Sequence, residues 1–163
     1  MSKYTKSLKF NEEILCLEIF GEKLFAGFFN GLIRIINNKN NCIIRTLTGH
    51  ISYVFCLKLI SKNTLASTAF EGSVKIWNID SGNCLETIKG HCSSPNCLAL
   101  SSKGDLFMGF KDGHIRVWDK EKWQVLNIFQ IDNRPIGDLS VTENGEFLIR
   151  SEDNLSIRIF KPC

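Results

Sequence analysis

Proline is scarce in this chain, 3 residues in 163, and no long Gly/Ser-rich stretch makes up for it, so nothing in the sequence reads as a linker. With 44% apolar residues, the chain is expected to form one compact region rather than two unrelated domains. No run of eighteen apolar residues occurs, so no helix is expected to cross a membrane. The first residues, Met1-Ser-Lys-Tyr-Thr-Lys6, lack the apolar centre of a signal peptide, and the expected compartment is the cytoplasm or the nucleus. Charge of one sign is missing too. The 20 basic and 17 acidic residues give a net +3 with no basic block to track phosphates, and nucleic acid is not an expected partner. The one biased stretch, Asn37-Asn-Lys-Asn-Asn41, reads as a solvated loop.

Cysteine is not scarce, since there are seven, but the C-x-x-C spacing of zinc and redox sites is absent. Five of the seven recur in phase. Cys16, Cys56 and Cys97 share one position, and Cys42 and Cys84 share another. All five are expected to be small apolar filler, reduced and slow to react, whereas Cys92 and Cys163 fall out of phase and are expected to be exposed thiols. Also missing is any Ser/His/Asp, Cys/His, paired-carboxylate or phosphate-cradling glycine constellation. No catalytic residue, cofactor or metal site is expected.

What the chain does have is repetition. Gly31-Leu-Ile-Arg-Ile-Ile36, Gly72-Ser-Val-Lys-Ile-Trp77, Gly113-His-Ile-Arg-Val-Trp118 and Leu155-Ser-Ile-Arg-Ile-Phe160 are nearly the same phrase at steps of 41, 41 and 42 residues. Gly49-His50 and Gly90-His91 keep the same phase, as do Ile14-Leu-Cys-Leu, Val54-Phe-Cys-Leu, Pro95-Asn-Cys-Leu and Ile136-Gly-Asp-Leu. Each unit contains four short runs of alternating apolar residues divided by Gly, Asn, Asp and Ser turns, the pattern of an up-and-down antiparallel sheet. In the second unit the runs are Val54 to Leu59, Thr64 to Ala69, Ser73 to Trp77 and Cys84 to Ile88. The units span about 11–50, 51–91, 92–132 and 133–163, and the fold class is all-β.

Gly90-His91 followed after 26 residues by Trp118-Asp119 resembles the Gly-His to Trp-Asp signature of WD-repeat β-propellers, and Gly49-His50 to Trp77-Asn78 repeats the spacing with Asn for Asp. The resemblance implies β-propeller blades and a structural tetrad in each: a His, a Ser or Thr, an Asp and the Trp. Carried onto this chain, it assigns His50, Ser67 and Trp77 in unit two, with Glu71 in the Asp place. In unit three it assigns His91, Asp112 and Trp118, with Met108 replacing the hydroxyl. Units one and four offer Asn30 and Asp153 in the turn, but Ile36 and Phe160 instead of Trp. The tetrad satisfies the polar atoms of a buried imidazole, and that structural role outweighs a reading of His50 or His91 as catalytic base or metal ligand. His114 is expected at the surface.

Four units are few for such a ring. Unit four ends without a fourth strand, while residues 5–10 match the place of a fourth strand belonging to a preceding blade and are a candidate latch. Three arrangements remain open: a closed small ring, a half-propeller of the kind that further blades would complete, or half of a homodimeric ring. The resemblance also places partner binding on the rim where each first strand begins and each second strand turns into the third. There the candidate residues are Phe29, Tyr53, Phe55, Phe70 and Lys111. Tyr53 is expected at the surface, and at least one of Phe29 and Phe70 in the core. The function implied is that of a non-catalytic scaffold or adaptor binding protein or peptide partners, for instance as the substrate-recruiting subunit of a ubiquitin ligase or signalling complex. The alternative is a propeller enzyme or ligand binder with an axial site.

Overall fold

The computed structural model describes residues 7–89, 93–151 and 156–161, and among them every regular element is a strand. The fifteen strands are β1 (Ile14–Phe20), β2 (Lys23–Phe28), β3 (Ile33–Asn37), β4 (Ile43–Leu47), β5 (Val54–Ser61), β6 (Thr64–Ala69), β7 (Val74–Asn78), β8 (Cys84–Ile88), β9 (Pro95–Leu100), β10 (Leu106–Phe110), β11 (His114–Trp118), β12 (Val125–Gln130), β13 (Ile136–Val141), β14 (Phe147–Ser151) and β15 (Ile157–Phe160). They form three four-stranded sheets and one three-stranded sheet, each an antiparallel meander in chain order. This is the all-β blade architecture expected from the repeats.

The turn chemistry explains the recurrence of glycine. Between the second and third strands of the first three sheets the chain reverses through Gly31, Gly72 and Gly113, with φ of 83°, 82° and 78°. A side chain is strained in that left-handed region, so the position selects glycine. Each innermost strand also carries one extra residue, at Leu15, Phe55, Asn96 and Gly137, where the register to the second strand slips. The slip lets the residue before the bulge and the second residue beyond it face the same neighbouring sheet.

Successive sheets stack face to face around the innermost strands, with β1 against β5, β5 against β9 and β9 against β13. Three apolar cores fill the gaps. The first joins Phe25, Ile33, Ile35 and Leu47 to Val54, Leu57, Leu65 and Trp77. The second joins Ala66, Val74 and Ile76 to Leu98, Leu106, Phe110 and Trp118, and the third joins Phe107, Ile115 and Val117 to Ile136, Leu139, Phe147 and Ile149. Among the described residues no core joins the fourth sheet to the first. Among the described residues the array is open, and its two end faces expose Leu17 and Ile19 on one side and Ile157 and Ile159 on the other.

Two expectations need correction. Cys42 and Cys84 are exposed, not filler, because Cys42 immediately precedes β4 and Cys84 opens β8, outermost strands that lie beyond the reach of the neighbouring sheet. Residues 7–10 form no strand in this structure; Phe10 instead packs edge-on against Phe28 of the first sheet, ring centroids 5.2 Å apart. The rest of the latch segment, together with Cys92, Cys163, Asp153 and Leu155, lies outside the described residues.

Candidate functional site

Two constellations stand out among the described residues: a buried tetrad in the second sheet and an aromatic ladder on the rim between the first and second sheets.

In the tetrad, the Trp77 indole N–H donates to Ser67 Oγ at 2.8 Å, and Ser67 Oγ lies 2.7 Å from His50 Nε2. His50 Nδ1 contacts Glu71 Oε1, which also accepts from Ser73 Oγ at 2.6 Å. One proton inventory fits. Ser67 receives from Trp77 and donates to His50, and His50 donates from Nδ1 to Glu71. Burial holds the imidazole below its ordinary pKa, against the pull of Glu71, so the ring is neutral. Burial would raise the Glu71 carboxyl, but hydrogen bonds from Ser73 and His50 outweigh it and keep the group below its ordinary value. With both ring nitrogens engaged inside the sheet, His50 has no lone pair left for a substrate. These bonds tie the residue before β5 to β6, to the following turn and, through Ser67, to β7.

In the third sheet Met108 stands where Ser67 stands in the second. Asp112 accepts from the His114 backbone N–H and from Arg116 Nη2, both at 3.1 Å, and Arg116 lies over the Phe110 ring at 4.1 Å. His91 lies outside the described residues, and Trp118 is buried in the second core. His114 is half-buried beside Asp112 at 3.2 Å, which corrects its expected placement in water, since the turn folds its ring back onto the carboxylate.

Sequence reasoning missed what replaces the tetrad in the end sheets. Phe10 and Asp132 continue the phase of His50 and His91 at steps of 40, 41 and 41. In the first sheet Arg34 stacks over Phe28 at 4.6 Å and pairs with Glu12 through both oxygens at 3.1 and 3.2 Å. In the fourth, Asp132 pairs with Arg158 and with Arg134; these bonds outweigh the effect of burial and hold its pKa at about 2. The signal was present in the recurring cation at Arg34, Lys75, Arg116 and Arg158. The interchange of Asn78 and Asp119 after the Trp also becomes plain: both side-chain oxygens accept backbone N–H groups of the next turn, from Ser81 at 2.8 Å and from Glu121 and Lys122 at 2.7 and 2.8 Å.

On the rim, Phe29, Tyr53 and Phe70 form a continuous stack. Ring centroids are 4.7 Å apart between Phe29 and Tyr53, tilted by 10°, and 4.6 Å between Tyr53 and Phe70, tilted by 24°. Lys111 from the third sheet extends the row, its Nζ 5.8 Å from the Phe70 centroid. The fold sets this spacing, because Phe29, Phe70 and Lys111 occupy one repeat position and donate their backbone N–H to Glu13, Tyr53 and Ser94 of the adjacent loop. The expected division between surface and core is reversed. Both phenylalanines are about half exposed, at 53% and 51%, and Tyr53 is the half-buried member between them. Phe55 is the bulged residue of β5, half-buried, with no ring partner among the described residues. Sequence reasoning did not single out Ile51, which is 87% exposed two residues before Tyr53 and extends the apolar rim.

The thiols nearest the axis offer no reactive centre. Burial pushes Cys16 up to about 12 and Cys56 up to about 11, and raises Cys97 well above the ordinary thiol value, so all three stay protonated. Among the described residues no group of three or more His, Cys, Asp or Glu side chains is placed to hold a metal ion.

Meandering four-stranded sheets stacked around an axis, with a Trp–Ser–His–acid tetrad inside one of them, define a WD-repeat β-propeller. Residues 41–78 and 82–119 match the model of the WD40 family, described as WD domain, G-beta repeat, so the chain carries two WD40 repeats. No curated protein matches it. Among solved structures it is similar to the WD40 β-propeller domain of Doa1, with TM-score 0.82 and 24% identity over 93% of this chain and 51% of that one. It is also similar to two computationally designed proteins. Ika8 has TM-score 0.77 and 26% identity over 91% of this chain and 46% of its own, and Ika4 has 0.82 and 26% over 98% of both chains. The chain therefore spans about half the length of the Doa1 domain and of Ika8, and nearly all of Ika4. WD40 propellers generally act as platforms for protein interaction, and an open array of four blades leaves room for completion by other blades.

Proposed function

We propose that this protein is a non-catalytic scaffold or adaptor of the cytosol or nucleus that captures a protein or peptide partner on its rim, through the Phe29–Tyr53–Phe70 ladder. The observation that carries this reading is the ladder itself. Three stacked rings, two of them half exposed, form a preorganised apolar surface, bordered by Ile51 and by the Lys111 ammonium. Aromatic side chains already held in place lose little entropy on binding and dominate the energetics of interfaces. Support also comes from the polar centres, which are consumed by structural bonds: His50 within its tetrad, Asp112 by Arg116 and Asp132 by two arginines.

The test is a photo-crosslinking amino acid placed at Phe29 or Phe70, with the equally bare Ile44 on β4 as control. A partner protein or peptide should crosslink at the rim and not at Ile44. It should be lost from a Phe29→Ala, Phe70→Ala double variant whose melting temperature stays close to that of the parent, because half-exposed rings contribute modestly to stability. A double variant that melts like the parent and keeps every partner would remove the rim as the binding site.

A further inference from the structure

We infer that the open array closes by pairing head to tail with a second copy of itself, the outer face of the fourth sheet of one copy seating on the outer face of the first sheet of the other, and reciprocally. The inference concerns the end faces and does not rest on the rim.

The repeat phase shows what each end face is built to meet. Leu57, Leu98 and Leu139 occupy one position on the second, third and fourth sheets and are 5%, 5% and 3% exposed, each pressed against the sheet before it. Their counterpart on the first sheet, Leu17, is 60% exposed. On the opposite face, Ile33, Val74 and Ile115 are all 0% exposed against the sheet that follows, whereas their counterpart on the fourth sheet, Ile157, is 78% exposed. Ile35, Ile76 and Val117 are likewise buried, and Ile159 is 65% exposed. The two bare surfaces are thus the two halves of an interface that the chain already makes three times within itself. Each keeps a depression for its missing neighbour. A groove of about 430 Å³ beside Phe10, Ile14, Leu17 and Leu24 marks the first sheet, and one of about 260 Å³ beside Leu148, Arg150 and Ile157 marks the fourth.

Curvature sets the number of copies. The array superposes on 51% of the Doa1 propeller domain and on 46% of Ika8, about half of each, so two copies complete a turn where one falls short and three overshoot. The contact is heterologous, and a heterologous contact whose rotation closes gives a ring rather than a filament. Two such interfaces of sheet-on-sheet size would bury the apolar faces that a soluble protein rarely leaves bare.

The full chain, purified alone, should sediment as two copies of 18.5 kDa and dissociate on dilution. Leu17→Glu should reduce the mass to one copy, and so should Ile157→Glu, because each removes one half of both contacts. An equimolar mixture of the two variants should recover a two-chain species, since the Leu17→Glu copy keeps a sound fourth-sheet face and the Ile157→Glu copy a sound first-sheet face. That complementation distinguishes head-to-tail pairing from the pairing of like faces, in which one variant alone would dissociate. Circular dichroism of both variants checks that their sheets persist, and if one fails to fold, the other with the parent still decides. A parent chain that stays at one copy at all concentrations would overturn the inference. So would a dimer indifferent to both variants, a mass other than two copies, or a different chain found seated on the faces.

Discussion

Ser67 is the pivot of the second sheet, because one hydroxyl accepts from the Trp77 indole and donates to the His50 imidazole. Replacing it with alanine would leave two buried polar atoms unpartnered at once, and each such loss costs about 1–3 kcal/mol. Ser67→Ala should therefore lower stability by an amount at the upper end of that range, read by chemical denaturation. The same network gives a direction for pH. His50 and Glu71 both bind protons less readily in the folded chain than in the unfolded one, the first through burial and the second through the bonds from Ser73 and His50. The unfolded state then takes up protons first as pH falls, and stability must fall with it. The loss begins below the ordinary histidine value of 6.5 and steepens below the ordinary carboxyl value of 4.5. Melting temperatures between pH 7 and pH 4 should trace this decline, and Glu71→Gln should start lower and fall less steeply across the acid part. A flat profile would show that the tetrad is not held as described.

Within the sheets, two glycines do a job that no turn explains. Gly27 on β2 and Gly109 on β10 share a position beside the innermost thiols, and a Cβ there would lie 2.5 Å from Cys16 Sγ and 2.6 Å from Cys97 Sγ. It would also crowd Val54 or Ile136 of the next sheet, at 2.9 and 2.7 Å, so these glycines set how closely successive blades approach. Gly27→Ala should destabilise by about 1–3 kcal/mol through overpacking. Adding Cys16→Ala should return part of that loss, because it vacates the nearest atom, and a double-mutant cycle would read the coupling. Additive losses would locate the crowding at Val54 instead. This scale also shows where the sequence was legible. Strand positions were plain from period-2 runs and glycine turns; β6 and β8 begin and end at the residues the alternation marks. The outermost strands were harder to read, because β4, β8 and β12 meet solvent on most of their surface, and alternation there no longer means burial; hence the misplacement of Cys42 and Cys84. The rim residues were found by position alone, but their stacking was not legible. Phe29 and Tyr53 meet across two loops of different sheets, and periodicity within one sheet carries no information about that approach.

For the whole molecule, stability is a sum of blades and of the contacts between them, so the same substitution should have different consequences at equivalent positions. Leu98 sits inside an internal core at 5% exposure, and Leu98→Ala should cost about 2–5 kcal/mol whatever the protein concentration, as a cavity in a packed core does. Leu17 holds the same place on the bare first sheet at 60% exposure, where an isolated chain gains little from it. In dilute protein Leu17→Ala should be nearly silent. In concentrated protein, where association stabilises the folded chain by mass action, the parent should melt at a higher temperature than it does when dilute, and Leu17→Ala should lose most of that gain. Melting the parent and both variants across a range of concentrations separates the cases: parallel shifts for Leu98→Ala, and for Leu17→Ala a gap that opens only as the protein is concentrated. A gap of equal size at every concentration would place Leu17 inside a core of the single chain and remove the first sheet as an open face.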